Sequence, residues 1–534
     1  MTTGNVLYYG DNLDVLRRYV PDESVDLIYL DPPFNSNASY NVLFKAPSGE
    51  KAAAQIQAFD DTWHWSHQAD EAYQELVTGR TSVAIAKHMT AMRNVLGPSD
   101  MLAYLVMMAP RLVELRRVLK PTGSLYLHCD PTASHYLKLL LDAVFGSERF
   151  INEVIWKRTF AHNRTVRYGP VHDVLLFYSK GADWFWREQY VPYDDTYIEN
   201  FYHHVEPGTN RRYMLDNVTS NRPGGRFLWN GKPPPGKRFW GYGEAKMKEF
   251  EAEGRLIYSK NGIPRYKRYL DEMPGQLLQD VWVDIPPISS HSSERLGYPT
   301  QKPLALLERI IVASCPEDGV VLDPFCGCGT AIDAAEHLDR RWVGIDLTYI
   351  AIDLIIKRLR HRYGPDFRST FTTNGIPEDV QGAQALFARN PFDFERWAVS
   401  LVGGEPNQKQ VGDQGIDGRI RFDAGAGEVG VAAVSVKGGQ QINPSMVQSL
   451  VGAMQQEHAD MAVLVTMRNP TPGMKQAAEV SGIYRHDISS NTYPKVQIIT
   501  VAELLKGQRL EMPTVFLPYI KATARAASEA QSLW

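Results

Sequence analysis

The sequence VVLDPFCGCGT at residues 320–330 joins an apolar strand pattern to a glycine turn, and a helical pattern follows it. Gly327 and Gly329 let the backbone approach a ligand closely, and the N-terminus of the next helix offers free N–H groups. A second strand pattern, residues 341–345, ends in Asp346, sixteen residues after the quoted stretch. Because an acidic side chain at this position binds ribose hydroxyls in doubly wound folds, the pattern predicts a nucleoside-cofactor site. The third glycine of the dinucleotide fingerprint is absent, which favours an adenosine derivative without phosphate over NAD.

The tetrapeptide Asp31-Pro32-Pro33-Phe34 directly follows the strand-like run of residues 25–30. The prolines restrict φ and carry no N–H, so the strand ends in stiff backbone whose carbonyls face a donor. The aspartate and a proline carbonyl can both accept from an exocyclic amine, and the phenylalanine adds a face on which a planar base stacks. An enzyme that works on such an amine extrudes the nucleotide and holds it by stacking and edge hydrogen bonds. The pattern predicts a pocket for a flipped-out base, and its alternative is a plain strand-to-turn stop.

Four further motifs accompany these two. They are, from the N-terminus, Gly10-Asp11-Asn12, Pro121-Thr122-Gly123-Ser124-Leu125-Tyr126-Leu127-His128, His172-Asp173-Val174-Leu175-Leu176-Phe177-Tyr178 and Tyr298-Pro299-Thr300-Gln301-Lys302-Pro303. With them, residues 5–362 resemble the DNA amino-methyltransferases of the β order, whose catalytic Asp-Pro-Pro-Phe half precedes the S-adenosylmethionine half. The resemblance implies a Rossmann-like, S-adenosylmethionine-dependent methyltransferase that acts on double-stranded DNA in restriction-modification or DNA defence.

The resemblance also assigns roles to residues by their positions in these motifs. The catalytic residues would be Asp31, Pro32, Pro33 and Phe34. The cofactor-binding residues would be Asp11, Asn12, Thr300, Gln301, Lys302, Asp323, Phe325, Gly327, Gly329, Thr330 and Asp346. In this family, aspartate at the first catalytic position is usual for adenine N6 and serine for cytosine N4. Adenine is therefore the expected target and cytosine the alternative. Methyltransferases of this order often pair, which leaves a homodimer open.

The reaction implied by the motifs is direct transfer of a methyl group to the exocyclic nitrogen of a flipped base, with no metal. Hydrogen bonds accepted by Asp31 and the Pro32 carbonyl would draw that nitrogen towards tetrahedral geometry, so that positioning and electrostatics supply the acceleration. A covalent route needs a cysteine nucleophile, and none of the four cysteines lies near the catalytic motif in sequence.

Length and composition predict a globular protein of two or three domains, with 534 residues of which 44% are hydrophobic. The four cysteines have neither zinc-knuckle nor disulfide-framework spacing, which indicates a reducing cytoplasm. No apolar stretch approaches the roughly 20 residues of a membrane span. The N-terminal residues lack a basic flank and an apolar core, so we expect neither a membrane segment nor a signal peptide.

The net charge of −4 hides a basic segment. Residues 205–270 hold fourteen Lys or Arg against six Asp or Glu, a net charge of +8, interleaved with aromatic residues. Such a segment can neutralise phosphates and read bases. We expect DNA contacts from Lys157, Arg158, Arg164, Arg222, Arg226, Lys232, Lys237 and Arg238. The alternative is a small solvated subdomain whose aromatic residues form its own core, and both can hold together.

Strand patterns at residues 25–30, 124–128 and 174–178 alternate with helical patterns, which indicates a parallel, doubly wound α/β sheet. The two halves must form one sheet, with both sites at the carboxyl ends of adjacent strands. We expect a catalytic half at 1–182, an inserted target-recognition region at 183–295, a cofactor half at 296–365, a linker at 366–389 and a restriction-nuclease-like domain at 390–534. Residues 40–100 could form a lid over the base or a dimer contact, with Trp63 and Trp65 more often core residues than base-stacking ones.

The C-terminal part resembles the PD-(D/E)XK-like restriction-nuclease core of the Mrr-type branch, because Asp417 is followed twenty positions later by Lys437 at a strand end. In such a site Asp417 would bind Mg²⁺, Lys437 would orient the attacking water, and Glu395 could add a ligand. The residue two before the lysine, usually acidic or glutamine, is Ser435, a poor metal ligand. A working endonuclease and a binding remnant both remain open, and glycines around Asp417 also fit an ordinary turn.

Three other functions compete with DNA methylation. An RNA or small-molecule methyltransferase would share the cofactor site, whereas the basic, aromatic insertion and the nuclease-like tail favour DNA. A nuclease could use the methyltransferase fold only to sense cofactor. A DNA-binding scaffold would not need both the catalytic and the cofactor motif.

Overall fold

The structure is a computed structural model. It describes residues 4–32, 39–45, 51–60, 65–79, 82–160, 166, 168–289, 292, 294–296, 298, 301–407, 415–425, 428–486, 489 and 491–515, with backbone only at 39–45 and 51–60. The chain forms two compact units, Glu188–Gln279 and the remainder, Met1–Arg187 with Asp280–Trp534. The smaller unit lies inside the expected insertion, and the five-segment division stays a prediction. None of the described helices is both long and apolar enough to span a bilayer.

The N-terminal half alternates strands and helices. Its elements are β1 Asn5–Tyr9, α1 Asn12–Tyr19, β2 Val25–Leu30, β3 Ser39–Lys45, β4 Lys51–Asp60, α2 His67–Thr78, α3 Val83–Leu96, α4 Asp100–Val118, β5 Leu119–Cys129, α5 Pro131–Phe145, a 3-10 turn Ser147–Arg149, β6 Phe150–Lys157 and β7 His172–Ser179.

The smaller unit contains mostly short strands. Its elements are β8 Tyr190–Val191, α6 Asp195–Phe201, β9 His204–Val205, β10 Arg212–Asn217, β11 Thr219–Ser220, β12 Phe239–Trp240, α7 Glu244–Ala252, β13 Leu256–Tyr258, β14 Pro264–Tyr269, a 3-10 turn Leu270–Glu272 and β15 Gln276–Leu277.

The chain then returns to the main sheet. The elements are β16 Val281–Trp282, α8 Leu304–Ser314, β17 Val320–Asp323, α9 Thr330–His337, β18 Arg341–Asp346, α10 Tyr349–Tyr363, a 3-10 turn Pro365–Thr370 and β19 Phe371–Asn374.

The C-terminal domain follows. Its elements are α11 Val380–Arg389, α12 Pro391–Leu401, β20 Glu405–Pro406, β21 Gly418–Gly425, β22 Glu428–Lys437, α13 Pro444–Gln456, β23 Met461–Thr466, α14 Pro472–Val480, β24 Ile483–Arg485, β25 Thr492–Pro494, β26 Val496–Thr500 and α15 Val501–Leu505.

The main sheet has nine strands in the order β16-β6-β7-β5-β2-β17-β18-β1-β19. Strand β2, which precedes the predicted catalytic motif, pairs in parallel with β17 of the predicted cofactor half, with Ile28 opposite Leu322, so the predicted adjacency of the two halves is confirmed. The expectation of an all-parallel sheet is wrong at β7, which runs antiparallel to both β5 and β6. Because β6 and β7 are consecutive strands that also pair, an antiparallel connection joins them without a crossover.

Four strands of this sheet, β1, β6, β16 and β19, were not expected from the sequence. Strand β1 precedes the motif at residues 10–12 and pairs with β18 and β19. The segment 366–389, predicted as a linker, contains β19 and α11. Strand β19 has only four residues, of which Phe371 and Thr373 are buried. Five- and four-residue strands are too short for a clear period-2 pattern.

Helices α1–α5 bury their apolar faces together with strands β1, β2, β5 and β7 in one core cluster. Helix α4 begins at the N-cap Ser99, whose side chain accepts a hydrogen bond from the Leu102 N–H at 3.3 Å. Arg116 and Arg117 occupy its last turn, where cations favour the helix dipole. Trp65 packs against this core and beside Tyr73, which confirms it as a core residue, while Trp63 lies outside the described residues.

The smaller unit has a four-stranded antiparallel sheet, β13-β14-β10-β9. Trp229 and Trp240 form a buried cluster with Met247 and Val218. These aromatic residues are therefore the core of the unit, as the alternative to a base-reading role predicted.

The C-terminal domain has a five-stranded mixed sheet, β20-β21-β22-β23-β26, with α13 between the parallel strands β22 and β23. Its residues lie in the same compact unit as the methyltransferase-like sheet, and its start as a separate domain near residue 390 stays a prediction. Helix α12 packs on α10 of that sheet layer as well as on β22, so the two domains share a buried helix.

Candidate functional site

Asp31, Asp323 and Asp346 end or follow three neighbouring parallel strands of the main sheet. Strand β17 pairs with β2 on one side and with β18 on the other, where Asp323 lies opposite Gly344. Since the carboxyl ends of parallel strands share one edge, the predicted catalytic and cofactor carboxylates meet at that edge.

The turn after β17 requires glycine at two positions. Gly327 and Gly329 have φ of 47° and 75°, in the left-handed region that other residues avoid. A Cβ on Gly329 would lie 2.7 Å from Cγ1 of Ile355, and one on Gly327 would lie 3.3 Å from the Tyr298 ring. The turn is therefore held by close packing against α10 and against the buried Tyr298.

Asp346 is fixed by backbone and side-chain donors. Its carboxylate accepts hydrogen bonds from the Gly327 N–H at 2.9 Å and from the N–H and hydroxyl of Thr348 at 2.8 and 2.9 Å. Burial raises the pKa of Asp346, and these hydrogen bonds oppose the rise. Asp346 thereby ties the glycine turn to the start of α10, with lone pairs still available for a ligand.

A buried ion-pair network between α9 and α10 supports the glycine turn. Asp333 is fully buried and pairs with Arg358 at 2.8 Å and with Arg362 at 2.7 Å. Arg358 also donates to the carbonyl of Cys328, inside the turn, at 3.1 Å. These residues were not predicted from the sequence, although the spacing of Arg358 and Arg362 puts both on one face of a helix.

Asp11 and Asn12 make hydrogen bonds and ion pairs within the protein. The Asp11 carboxylate caps α1 through the Leu13 N–H at 2.9 Å and pairs with Arg111 at 2.6 Å. Asn12 is buried, donates to the Pro324 carbonyl at 2.8 Å and accepts from Arg111 at 2.6 Å. These two predicted cofactor residues thus anchor the β17 turn from the side of β1.

Asp31, predicted to be catalytic, has one paired oxygen and one oxygen without a partner among the described residues. Oδ2 accepts from the ammonium of Lys302, which is only 7% exposed. Oδ1 is buried and has no hydrogen-bond partner among the described residues. Buried acceptors are nearly always satisfied, so an oxygen without a donor in a cleft marks the place for one from a ligand.

The structure describes only some of the other residues of the same motifs. Pro32 is buried, whereas Pro33, Phe34 and Thr300 lie outside the described residues. The Gln301 side chain bridges the Glu294 carbonyl and the Leu296 N–H, both at 2.8 Å, and so holds the backbone before α8.

Asp323 is the most perturbed carboxyl of the cluster. Burial raises its pKa well above the ordinary value, the charges of Asp31 and Asp346 raise it further, and the Phe325 N–H and Lys302 oppose them. The hydrogen bond from the Phe325 N–H measures 3.0 Å. Thr330, buried at the start of α9, contacts Cys328.

A second buried polar chain, missed from the sequence, lies beside Asp31. The Tyr29 hydroxyl is 2.9 Å from Nδ1 of His128, and Nε2 of His128 is 3.1 Å from Asp173. Burial raises the pKa of Asp173, but its hydrogen bond with His128 and the charges of Lys302 and Arg158 outweigh burial and keep it below the usual range. Asp173 is therefore an ionised partner of the cations around the catalytic residue.

Arg158, expected to contact DNA, pairs with the buried Asp173 at 3.1 Å. Lys157 is exposed, while Arg164 lies outside the described residues. The sequence could not distinguish a loop cation that faces solvent from one that neutralises a buried carboxylate.

The basic residues of the smaller unit differ in their contacts within the protein. Arg226 stacks over Phe239 at 4.5 Å, Lys232 donates to the Asn261 carbonyl at 2.7 Å, and Arg238 donates to the Thr219 carbonyl at 2.9 Å. Arg222 and Lys237 are exposed. All five lie on or beside the loop between β11 and β12, which presents them as one group.

Three of the four predicted nuclease residues, Asp417, Ser435 and Lys437, lie together in the C-terminal domain. Asp417 accepts from the Val436 N–H at 2.6 Å and from the Ser435 hydroxyl at 3.2 Å, and Nζ of Lys437 lies 3.9 Å away. Glu395 is half-buried on α12. The residues that the structure describes contain no group of three or more metal-ligating side chains, so the expected Mg²⁺ finds no support there.

Comparison with protein families gives two matches. Residues 25–357 match the N6/N4 methyltransferase model, described as DNA methylase. Residues 392–506 match a model described as NACHT-associated inactive Restriction Endonuclease 1. A C-terminal domain of the restriction-endonuclease-like kind is thus confirmed, and the Mrr-type branch stays a prediction.

Similar curated proteins belong to restriction-modification systems. The chain is 29% identical over 362 residues to the Type II methyltransferase M.EcaI of Enterobacter cloacae, covering 66% of this chain and 69% of that protein. It is 29% identical over 352 residues to the Type III restriction-modification enzyme StyLTI Mod subunit of Salmonella typhimurium, covering 63% of this chain but only 50% of that subunit.

Solved structures are similar at low identity. The M1.HpyAVI complex with S-adenosylmethionine gives a TM-score of 0.32 at 15% identity and covers 66% of this chain and 98% of that one. The cytosine-N4-specific PvuII DNA methyltransferase gives a TM-score of 0.32 at 14% identity and covers 70% of this chain and 95% of that one.

Proposed function

Because this chain belongs to the DNA methylase family of N6 and N4 amino-methyltransferases, we propose that it methylates adenine N6 of a flipped base in double-stranded DNA, with S-adenosylmethionine as cofactor. The observation that carries the proposal is the buried, unpaired Oδ1 of Asp31 at the end of β2, beside the cofactor strand β17. A base amine is a donor of the kind that this oxygen lacks.

The residues fit the cofactor by charge and by shape. S-adenosylmethionine supplies an activated methyl group on a cationic sulfonium. The charges of Asp31 and Asp346 raise the pKa of the buried Asp323 at one sheet edge, so a cation there would stabilise the ionised form of Asp323. Gly327 and Gly329 allow the positive φ angles of the turn that Asp346 holds, and Asp346 would accept from ribose hydroxyls.

The protein's own groups would orient the amine. Lys302 pairs with Oδ2 of Asp31 and so leaves Oδ1 for the base. Accepting from the amine at Oδ1 and at the Pro32 carbonyl would aim the nitrogen lone pair at the methyl group. Such pre-set dipoles act without reorganisation during the reaction.

The smaller unit would read the DNA, with the exposed Arg222 and Lys237 available for phosphate or base contacts. Arg226, Lys232 and Arg238 would shape the loop that carries them. A homodimer and a cytoplasmic location belong to this proposal as well.

The experiment is a transfer assay with labelled S-adenosylmethionine on unmethylated genomic DNA, on RNA of matched length and on no nucleic acid. Digestion to nucleosides then separates N6-methyladenine from N4-methylcytosine by mass and retention. We expect label in adenine of DNA only. Label in cytosine would select the N4 alternative, and label in RNA alone would overturn the DNA assignment.

We further propose that the C-terminal domain binds DNA or a protein partner without cleaving DNA. Ser435 replaces a usual carboxylate, Asp417 already accepts two hydrogen bonds from β22, and the similar family is described as inactive. The alternative, a methyltransferase with a Mg²⁺-dependent endonuclease, predicts fragments that appear only with the metal.

A further inference from the structure

The C-terminal domain contacts the methyltransferase-like sheet next to Asp346. Tyr9, the last residue of β1, is 5% exposed, and the guanidinium of Arg389 lies 5.9 Å from its ring centroid. Burial raises the pKa of Tyr9, as does the neighbouring charge of Asp393 of α12. A residue of the sheet edge is thus covered by the start of the C-terminal domain.

A second tyrosine makes a matching contact. Tyr349, the first residue of α10, is 6% exposed, and α10 packs against α12. Burial raises the pKa of Tyr349, and the Ser400 hydroxyl near the end of α12 opposes the rise. Its ring packs edge-on against Tyr9 with 6.1 Å between centroids. The two tyrosines together span α12, from Asp393 to Ser400.

Both tyrosines belong to backbone that positions Asp346. Tyr9 lies directly opposite Asp346 in the parallel ladder, and the N–H of Gly10 donates to the Asp346 carbonyl at 2.9 Å. Tyr349 immediately follows Thr348, whose N–H and hydroxyl hold the Asp346 carboxylate. The contact with α12 therefore restrains the end of β1 and the start of α10, the two segments next to the proposed ribose-binding carboxylate.

We propose that the C-terminal domain is a built-in part of the cofactor site, in which α12, through Tyr9 and Tyr349, holds the two segments that fix Asp346. Cofactor binding and the docking of α12 then stabilise one another, because a coupling between two sites is reciprocal. Tyr9, Tyr349, Asp393 and Ser400 act as positioning residues. The inference rests on the proposed cofactor.

The test uses the full chain and two measurements, the calorimetric affinity for S-adenosylmethionine and the hydrogen exchange of residues 391–401 with and without saturating cofactor. The variants are Tyr9→Phe with Tyr349→Phe, which removes both hydroxyls and keeps both rings, and Ser400→Ala, which alters only α12. The control is Tyr178→Phe in β7, which removes a buried hydroxyl that donates to Asp142 of α5 at 2.7 Å.

We expect cofactor to slow exchange in 391–401, and the double variant to weaken cofactor binding by about fivefold or more while the control binds as the wild type does. Ser400→Ala should shift affinity in the same direction by a smaller factor, and it decides the question if the double variant fails to fold. Unchanged exchange together with unchanged affinity in both variants overturns the coupling alone. A wild type that binds no S-adenosylmethionine overturns the proposed cofactor and the coupling with it.

Discussion

Asp333 of α9 and Arg358 of α10 form an ion pair from which solvent is almost wholly excluded, with side-chain exposures of 0% and 3%. The same arginine donates to the Cys328 carbonyl, so this pair joins two helices to the glycine turn between β17 and α9. Arg362 and Tyr363 complete the shell around Asp333, at 2.7 and 3.0 Å. The carboxylate thus depends on α10 for every partner that its side chain has in the described structure.

Replacing Arg358 by methionine should destabilise the protein strongly, because it leaves the buried Asp333 short of a countercharge. Breaking a buried pair from one side costs about 3 to 5 kcal/mol. Urea denaturation would measure this, with Arg341→Met as a control, since Arg341 lies on an exposed position of β18. A loss below about 1 kcal/mol would place Arg358 among surface pairs and contradict its assigned role.

Gly329→Ala should impair both stability and cofactor binding, because the new Cβ would meet Ile355 at 2.7 Å while φ stays at 75°. Gly364 offers a matched control, because its φ is 100° but no atom lies within 4 Å of a Cβ there. The difference in unfolding free energy between the two variants isolates the clash. The second change Ile355→Ala should recover part of the loss in Gly329→Ala, and no recovery would show that the turn, not the contact, sets the requirement.

The sequence was sufficient to predict that Asp31 and Asp323 lie at the same edge of the sheet, because strand patterns followed by glycine and proline turns determine which sheet edge the side chains reach. It was not sufficient for Arg358 with Asp333, or for Arg158 with Asp173. Those pairs depend on how helices and loops pack after the strands are in place. Strands β1 and β19 were missed for a different reason, since they are too short for periodicity to identify.

Asp31→Asn and Asp346→Ala should separate catalysis from cofactor binding. The first keeps the size of the side chain but removes its charge beside Lys302, so methyl transfer should fall by about a hundredfold or more while S-adenosylmethionine affinity changes little. The second removes an acceptor of ribose hydroxyls, and hydrogen bonds to charged groups contribute about 1.5 to 3 kcal/mol each. Calorimetry with a transfer assay checks both. Full transfer by Asp31→Asn, or full affinity in Asp346→Ala, would show that the roles are assigned to the wrong residues.

The pH dependence of stability should reveal Asp323. Its folded-state pKa is raised above the ordinary 3.8, so its contribution is fully present below that pH and is lost as pH rises through the folded pKa. Asp323→Asn keeps an acceptor for the Phe325 N–H and cannot ionise. The stability of this variant relative to wild type should therefore grow with pH above 3.8, by at most about 1.4 kcal/mol per pH unit, and then level off. A flat difference in denaturant unfolding between pH 4 and 8 would contradict a raised pKa.

Ser435→Glu should distinguish a binding domain from a dormant nuclease. Ser435 is 2% exposed and its hydroxyl contacts Asp417, so a glutamate there adds a second carboxylate in a closed space. Without a metal we expect a loss of stability from like-charge repulsion and burial, and Mg²⁺ should not restore it if the domain only binds partners. Thermal unfolding with and without Mg²⁺ measures whether the metal restores stability. The lengths of methylated and unmethylated DNA after incubation with the protein measure cleavage.

Wild type and Lys437→Ala should both leave DNA intact and methylate it equally. Metal-dependent fragments from the wild type that vanish in Lys437→Ala would instead assign cleavage to Asp417 and Lys437, because the lysine would then be orienting the attacking water.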